Sequence, residues 1–307
     1  MSSVAPERVR AIEAWNELDE RGSPILIRAI RWIALHLGRR TSRWLLPPIA
    51  GYFLLAAPVA RRSSRQYLRR LGLRGHWWQV ARHIHCFACT ILDRVFLLTD
   101  RMATLDIHLH GEQALDEALR DGRGCVLIGS HLGSFEVLRA LAINRHGRGL
   151  KVLMQPEHNR IVTDLLHALN PTVAGSVIPL GGFDSLLRAH EALGRGEIIG
   201  MLADRNAPDG ARLECDFLGA PAAFPLGPWQ AAAALKAPVL LFFGLYSGAN
   251  RYDIHFEWLA DALEAPRRER ADTVAGWVER YAERLDHWAR RAPYNWFNFY
   301  PFWSDRA

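Results

Sequence analysis

Gly124–Ser130 reads G-C-V-L-I-G-S, a short, nearly continuous apolar run bounded by glycine. A run of that length with no polar face reads as a buried strand, and such strands belong to sheets covered by helices. The chain around it keeps this texture. After Arg101, strand-like runs stand at Ile107–His110, Lys151–Met154, Val177–Leu180, Glu197–Ala203, Val239–Leu245 and Tyr252–Trp258. Helical stretches at Gln113–Arg120, Leu132–Asn144, Asn159–Leu169, Phe183–Leu193 and Arg268–Arg291 alternate with them. That order predicts an α/β fold, a mostly parallel sheet flanked by helices. Half of the 307 residues are apolar and 23% are charged, a globular composition that excludes a disordered chain.

Residues 1–100 have a different character and are read as a basic helical segment, with the α/β domain over 101–307. From Pro24 to Leu92 there are twelve arginines and no aspartate or glutamate. The whole chain carries only +6, so this segment holds +12 and the remainder −6. Charge gathered in one segment points to a single anionic partner surface rather than to a nucleic-acid coat.

The segment also holds two apolar stretches. Ile25–Leu37 places Leu26, Ile27, Ile30, Ile33, Ala34 and Leu37 at helical spacing opposite Arg28, Arg31 and His36, with Trp32 as an interfacial anchor. Leu45–Ala60 has no charge but contains Pro47-Pro48. Sixteen residues of helix give ~24 Å against a hydrocarbon core of ~30 Å. Arginines flank this stretch on both sides, whereas a spanning helix shows them on one. The expectation is an interfacial or re-entrant segment on an anionic leaflet; the alternative is a core helix with solvated arginines. Residues 1–23 lack an apolar run of signal-peptide length and carry five acids, so a cytoplasmic location is expected.

Four cysteines are too few for a disulfide framework. Cys86 and Cys89 form a lone C-x-x-C, for which i, i+3 spacing on an apolar helix is the simpler reading. The thirteen histidines show no metal-binding pair at i, i+4 on a convincing helix, so no metal is expected. The glycines near Gly129 precede or lie within the strand instead of following it, which excludes a dinucleotide fingerprint.

The sharpest local feature is G129-S-H-L-G133 followed by Phe135-Glu136. His131 falls on a strand-to-helix turn, in the layout of a nucleophile elbow with histidine in the place of serine. Such turns lie at the carboxyl end of a sheet, where α/β active sites are built. A histidine there suits a general base near neutral pH. If Glu136 stands in the first helical turn, its carboxylate reaches the ring, holds the tautomer and stabilises the imidazolium. The competing reading is a core histidine with a glutamate favoured by the helix dipole.

With these residues in place, H-x4-E inside G-S-H-L-G-S-F-E resembles the H-x4-D/E motif of the bacterial lipid A biosynthesis (late) acyltransferases, relatives of the glycerolipid acyltransferases. Ala203-Asp204-Arg205-Asn206 resembles that family's D-R block. Phe217-Leu218-Gly219 through Phe224-Pro225-Leu226-Gly227-Pro228 resembles its F-x-G…F-P-x-G-P segment. Lys236-Ala237-Pro238-Val239 resembles a later A-P-V block, and Trp15–Ser23 and Arg61–Leu71 resemble its membrane-proximal start. The aromatic tail Tyr294–Trp303 departs from the family's usual W-x-x-R-R ending. It resembles divergent members associated with other glycolipids or aryl-polyene-type lipids. Its aromatic density fits interfacial seating or a lid over an acyl chain, with a packed C-terminus as the alternative.

The resemblance implies a membrane-bound acyltransferase at the cytoplasmic face of the inner membrane. It implies transfer of a fatty acyl group from a thioester, on acyl carrier protein or coenzyme A, to a hydroxyl of a lipid or glycolipid. No other cofactor is implied. His131 and Glu136 would be catalytic. Arg160, Asp204 and Arg205 would serve the oxyanion or a phosphate, with Asp204 orienting Arg205. Phe224 and Pro225 would wall the acyl groove. Anionic lipids and acyl carrier protein are the expected partners, and nucleic acid is not. The rival readings are a non-catalytic membrane scaffold and a thioester hydrolase.

Overall fold

A computed structural model describes residues 24–99, 101–138, 147–154, 175–207, 210–264 and 269–303. Helical segments come first: α1 Pro24–Arg43, broken by a kink at Gly38 (φ 80°, ψ 173°), then α2 Leu46–Ala56, α3 Pro58–Arg70 and α4 Trp77–Leu97. The uncharged stretch expected to act as one segment is therefore two helices. Ala57 sits at φ −115°, ψ 77°, and Pro58 opens α3. Proline disfavours helical geometry in the residue before it, so the helix must end there. The eleven residues of α2 span only ~16 Å at helical rise. Among the described residues, no helix is long and apolar enough to cross a membrane.

The sheet follows. Its strands are β1 Asp106–His110, β2 Val126–Gly129, β3 Leu150–Met154, β4 Val177–Pro179, β5 Ile198–Leu202, β8 Val239–Gly248 and β9 Arg251–Ala260. Helices α5 Glu112–Ala118, α6 Gly182–Gly194, α7 Gly227–Leu235 and α8 Arg270–Arg291 accompany them. The seven-stranded order is β1-β9-β8-β2-β5-β3-β4. Every neighbouring pair is parallel except the β8–β9 hairpin. The α/β fold with a mostly parallel sheet is as expected. All four residues of β2 are buried, as a central strand covered on both faces requires. A separate hairpin, β6 Arg212–Phe217 with β7 Ala220–Pro225, had no counterpart among the predicted strands.

The N-terminal helices share one contiguous core with the sheet, from Ala34 on α1 to Trp303. Part of the basic character is spent there. Arg39 Nε and Nη2 each stand 2.7 Å from a carboxylate oxygen of Asp93, whose side chain is fully buried. Asp93 is the first acid after the acid-free run, and Tyr252 Oη donates to it at 2.9 Å. Arg43 Nη2 donates to Tyr246 Oη at 2.9 Å, and Arg82 stacks on Tyr294. These arginines tie the basic helices to the sheet and are not a uniform outward charge. Exposed aromatic surface remains beside them: Trp44 is 82% exposed and Trp77 is 68% exposed, with Trp32, Tyr52, Leu55 and Trp78 also open.

Cys86 and Cys89 lie on α4 as free, buried thiols, matching the helical reading. Burial pushes the Cys86 thiol up to about 12, so it is held protonated.

Candidate active site

The site follows from strand register. β2 and β5 run parallel, with Gly129 opposite Leu202. His131 and Asp204 each lie two residues beyond those paired positions, so both emerge at the carboxyl end of the sheet. There His131 Nδ1 stands 2.8 Å from Asp204 Oδ1, and the His131 backbone N–H donates to Oδ2 at 2.9 Å. A carboxylate only accepts, so Nδ1 carries the ring hydrogen and Nε2 keeps the lone pair. Nε2 has no partner among the described residues, and the His131 side chain is 25% exposed.

The turn is fixed from several sides. Gly133 has φ 77°, and a Cβ there would lie 1.8 Å from the Gly244 carbonyl oxygen. Gly133 is therefore required by the close passage of β8, and Ser134 N–H donates to that same carbonyl at 2.8 Å. Tyr281 Oη, from α8, donates to the Gly129 carbonyl at 2.9 Å. Residues 294–303 run across the turn as a strap. Phe297 N–H donates to the His131 carbonyl, and Gly133 N–H donates to the Asn295 carbonyl. The stretch 294–303 is thus packed into the core, with Trp296, Phe297, Phe299, Phe302 and Trp303 all buried.

Trp296 completes the carboxylate. Its indole N–H donates to Asp204 Oδ2 at 3.0 Å. Its carbonyl accepts from His83 Nε2 at 2.9 Å, while His83 Nδ1 faces Ser64 Oγ at 2.9 Å. The fully enclosed His83 ring is driven down to about 4 by burial, partly offset by the Trp296 carbonyl.

Electrostatics favour a neutral ring beside an ionised acid. Burial lowers the pKa of His131 below the usual histidine value, and the Arg205 charge lowers it further; Asp204 opposes both. Burial works against ionised Asp204, but the His131 ring and Arg205 outweigh it and hold the acid below the usual carboxylate range. Arg94 on α4 adds a second cation that acts on His131.

The remaining predicted residues separate. The acid on Nδ1 is Asp204 and not Glu136. Helix begins only at Glu136, and its buried side chain belongs to that first turn. Asp204 is delivered to the ring by the neighbouring strand, so it orients His131 instead of Arg205. Arg205 Nη2 donates to the Phe297 carbonyl at 2.9 Å, and the guanidinium lies over Tyr300. Among the described residues, Arg205 Nε and Arg94 Nε are buried without a hydrogen-bond partner. Phe224 is fully buried against Phe217, Tyr281 and Phe302, so its ring meets aromatic neighbours, and Pro225 ends β7, also buried. Arg160, the predicted helix around it and the Trp15–Ser23 motif lie outside the described residues. Sequence reasoning missed Trp296 and Arg94.

The histidine with a buried carboxylate on Nδ1 stands at the carboxyl end of the mostly parallel sheet, the edge at which α/β proteins build their sites. The chain belongs to the bacterial lipid A biosynthesis acyltransferase family, whose model matches residues 81–305. It is accordingly an acyltransferase acting on a lipid. No curated protein matches the chain.

Proposed function

We propose that the chain moves a fatty acyl group from an acyl thioester, carried by acyl carrier protein, to a hydroxyl of a membrane lipid or glycolipid. The observation that carries this reading is the His131–Asp204 pair at the sheet's carboxyl end.

His131 Nε2 takes the proton of the acceptor hydroxyl, while Asp204 holds the ring and stabilises the imidazolium. The acceptor oxygen attacks the thioester carbonyl, and a new C–O bond forms. The resulting oxyanion is met by Arg205, with Arg160 as a second candidate donor. Collapse breaks the C–S bond, and the leaving sulfur receives the proton from the imidazolium. No enzyme nucleophile, metal or further cofactor enters these steps. Glu136, the acid of the H-x4-E motif, is kept as a second buried carboxylate beside the turn.

The proposed location is the cytoplasmic face of the inner membrane. Support comes from the exposed Trp32, Trp44, Tyr52, Leu55, Trp77 and Trp78 on helices whose arginines have no acids among them between Pro24 and Leu92. Aromatic side chains beside cationic ones suit an anionic lipid interface.

The reading is tested with purified protein, an acyl carrier protein loaded with radiolabelled acyl chains, and a bacterial membrane lipid extract. Transfer of label to lipid is expected, with loss in His131→Gln. Release of free fatty acid without lipid labelling would make the protein a hydrolase.

A further inference from the structure

We infer that Trp296 is a positioning residue for His131, acting through Asp204. This rests on the reading of His131 as the base but is tested without requiring it.

Asp204 Oδ2 receives two donors, the His131 backbone N–H at 2.9 Å and the Trp296 indole N–H at 3.0 Å. Its other oxygen faces the ring nitrogen at 2.8 Å. The indole therefore fixes the rotation of the carboxylate plane that sets the ring's orientation. Trp296 is itself immobilised. It is fully buried, with its ring 5.1 Å from those of Tyr67 and Phe217 and 4.9 Å from that of Phe302. Its backbone pairs with Leu132, directly after His131. A hydrogen bond to a charged group is worth more than a neutral one, so this donor also lowers the basicity of Asp204. Without it the carboxylate attracts the imidazolium more strongly, and the ring becomes more basic. The charged and titratable groups facing the pair are Arg205 after β5, Arg94 on α4 and Tyr281 on α8.

The test is a titration of the His131 ring by NMR, in the full chain labelled at histidine Cε1, with the signal assigned by its loss in His131→Gln. Trp296→Phe keeps an aromatic ring and removes the donor. It is expected to raise the ring pKa by about 0.5–1 unit. Trp303→Phe removes another buried indole N–H of the strap, one that donates to the Phe217 carbonyl and not to Asp204. It is expected to leave the ring unchanged. Should Trp296→Phe fail to fold, benzothienylalanine at position 296 replaces N–H by sulfur with little change of shape, and the same rise is expected. An unchanged ring pKa in a folded position-296 variant overturns the inference, as does an equal rise in Trp303→Phe. If the ring shifts as expected but His131→Gln still transfers acyl groups, the base assignment fails while the positioning role stands.

Discussion

His131 and Asp204 meet because each lies two residues past the paired strand positions Gly129 and Leu202. Parallel neighbours deliver their following loops to the same edge, so two segments far apart in the chain converge without any local motif joining them. The 2.8 Å contact between Nδ1 and Oδ1 leaves Nε2 as the nitrogen able to take a proton.

This pairing predicts an order of effects between two carboxylates. Asp204→Asn removes the acid from Nδ1, and turnover should fall by roughly 10²–10⁴-fold. Loss of the negative charge also lowers the His131 ring pKa further. Glu136→Gln leaves the Nδ1 contact in place and should shift the ring less. NMR titration of His131 in both variants checks this; a larger shift in Glu136→Gln would return the orienting role to Glu136.

The clamp between α1 and the sheet predicts a large stability effect far from the site. Arg39→Met leaves Asp93 buried without its bidentate partner, at a cost of about 3–5 kcal/mol. Urea unfolding measures it. A change below about 1 kcal/mol would mean that α1 is not held by this pair.

His83 predicts how stability varies with pH. The folded ring titrates at about 4, below the unfolded value, so the unfolded chain binds more protons between these pH values. Stability is then fully present above about pH 6.5 and is lost as pH falls toward 4, by about 3 kcal/mol from this group. His83→Gln should lose correspondingly less over the same range, whatever its stability at pH 7. Parallel pH dependences in urea unfolding would contradict this.

The exposed tryptophans predict a lipid contact. Trp44→Ser combined with Trp77→Ser should weaken binding to vesicles containing anionic phosphatidylglycerol by roughly tenfold or more. Sedimentation with vesicles at two salt concentrations separates the aromatic from the electrostatic contribution. Undiminished binding would move the contact elsewhere on the protein.

Much of this architecture is legible in the sequence because it is local. β2, β5 and β8 are apolar runs, and α8 has clear helical periodicity, so pattern alone locates them. The hairpin β6–β7 is not legible, since Ala220-Pro-Ala-Ala-Phe-Pro225 is poor in strand-forming residues and pairs only through tertiary context. His131 is visible from its glycine-flanked turn, although Gly133 serves the passage of β8 and not the exposure of the histidine. Asp204 is visible as a residue but not as the partner of His131, because proximity in sequence favours Glu136 while strand register decides the contact. Trp296 gave no signal. It stands 92 residues from the carboxylate it completes, and an aromatic tail reads equally well as a lid or as an interfacial anchor.

Acyl transfer to a lipid with His131 as the base is open to direct test by lipid mass spectrometry. Lipids are compared from cells expressing the wild-type chain and cells expressing His131→Ala at equal protein level. A lipid species heavier by one acyl group is expected in the wild type and is expected to be absent with His131→Ala. The same acylated species in both would contradict it.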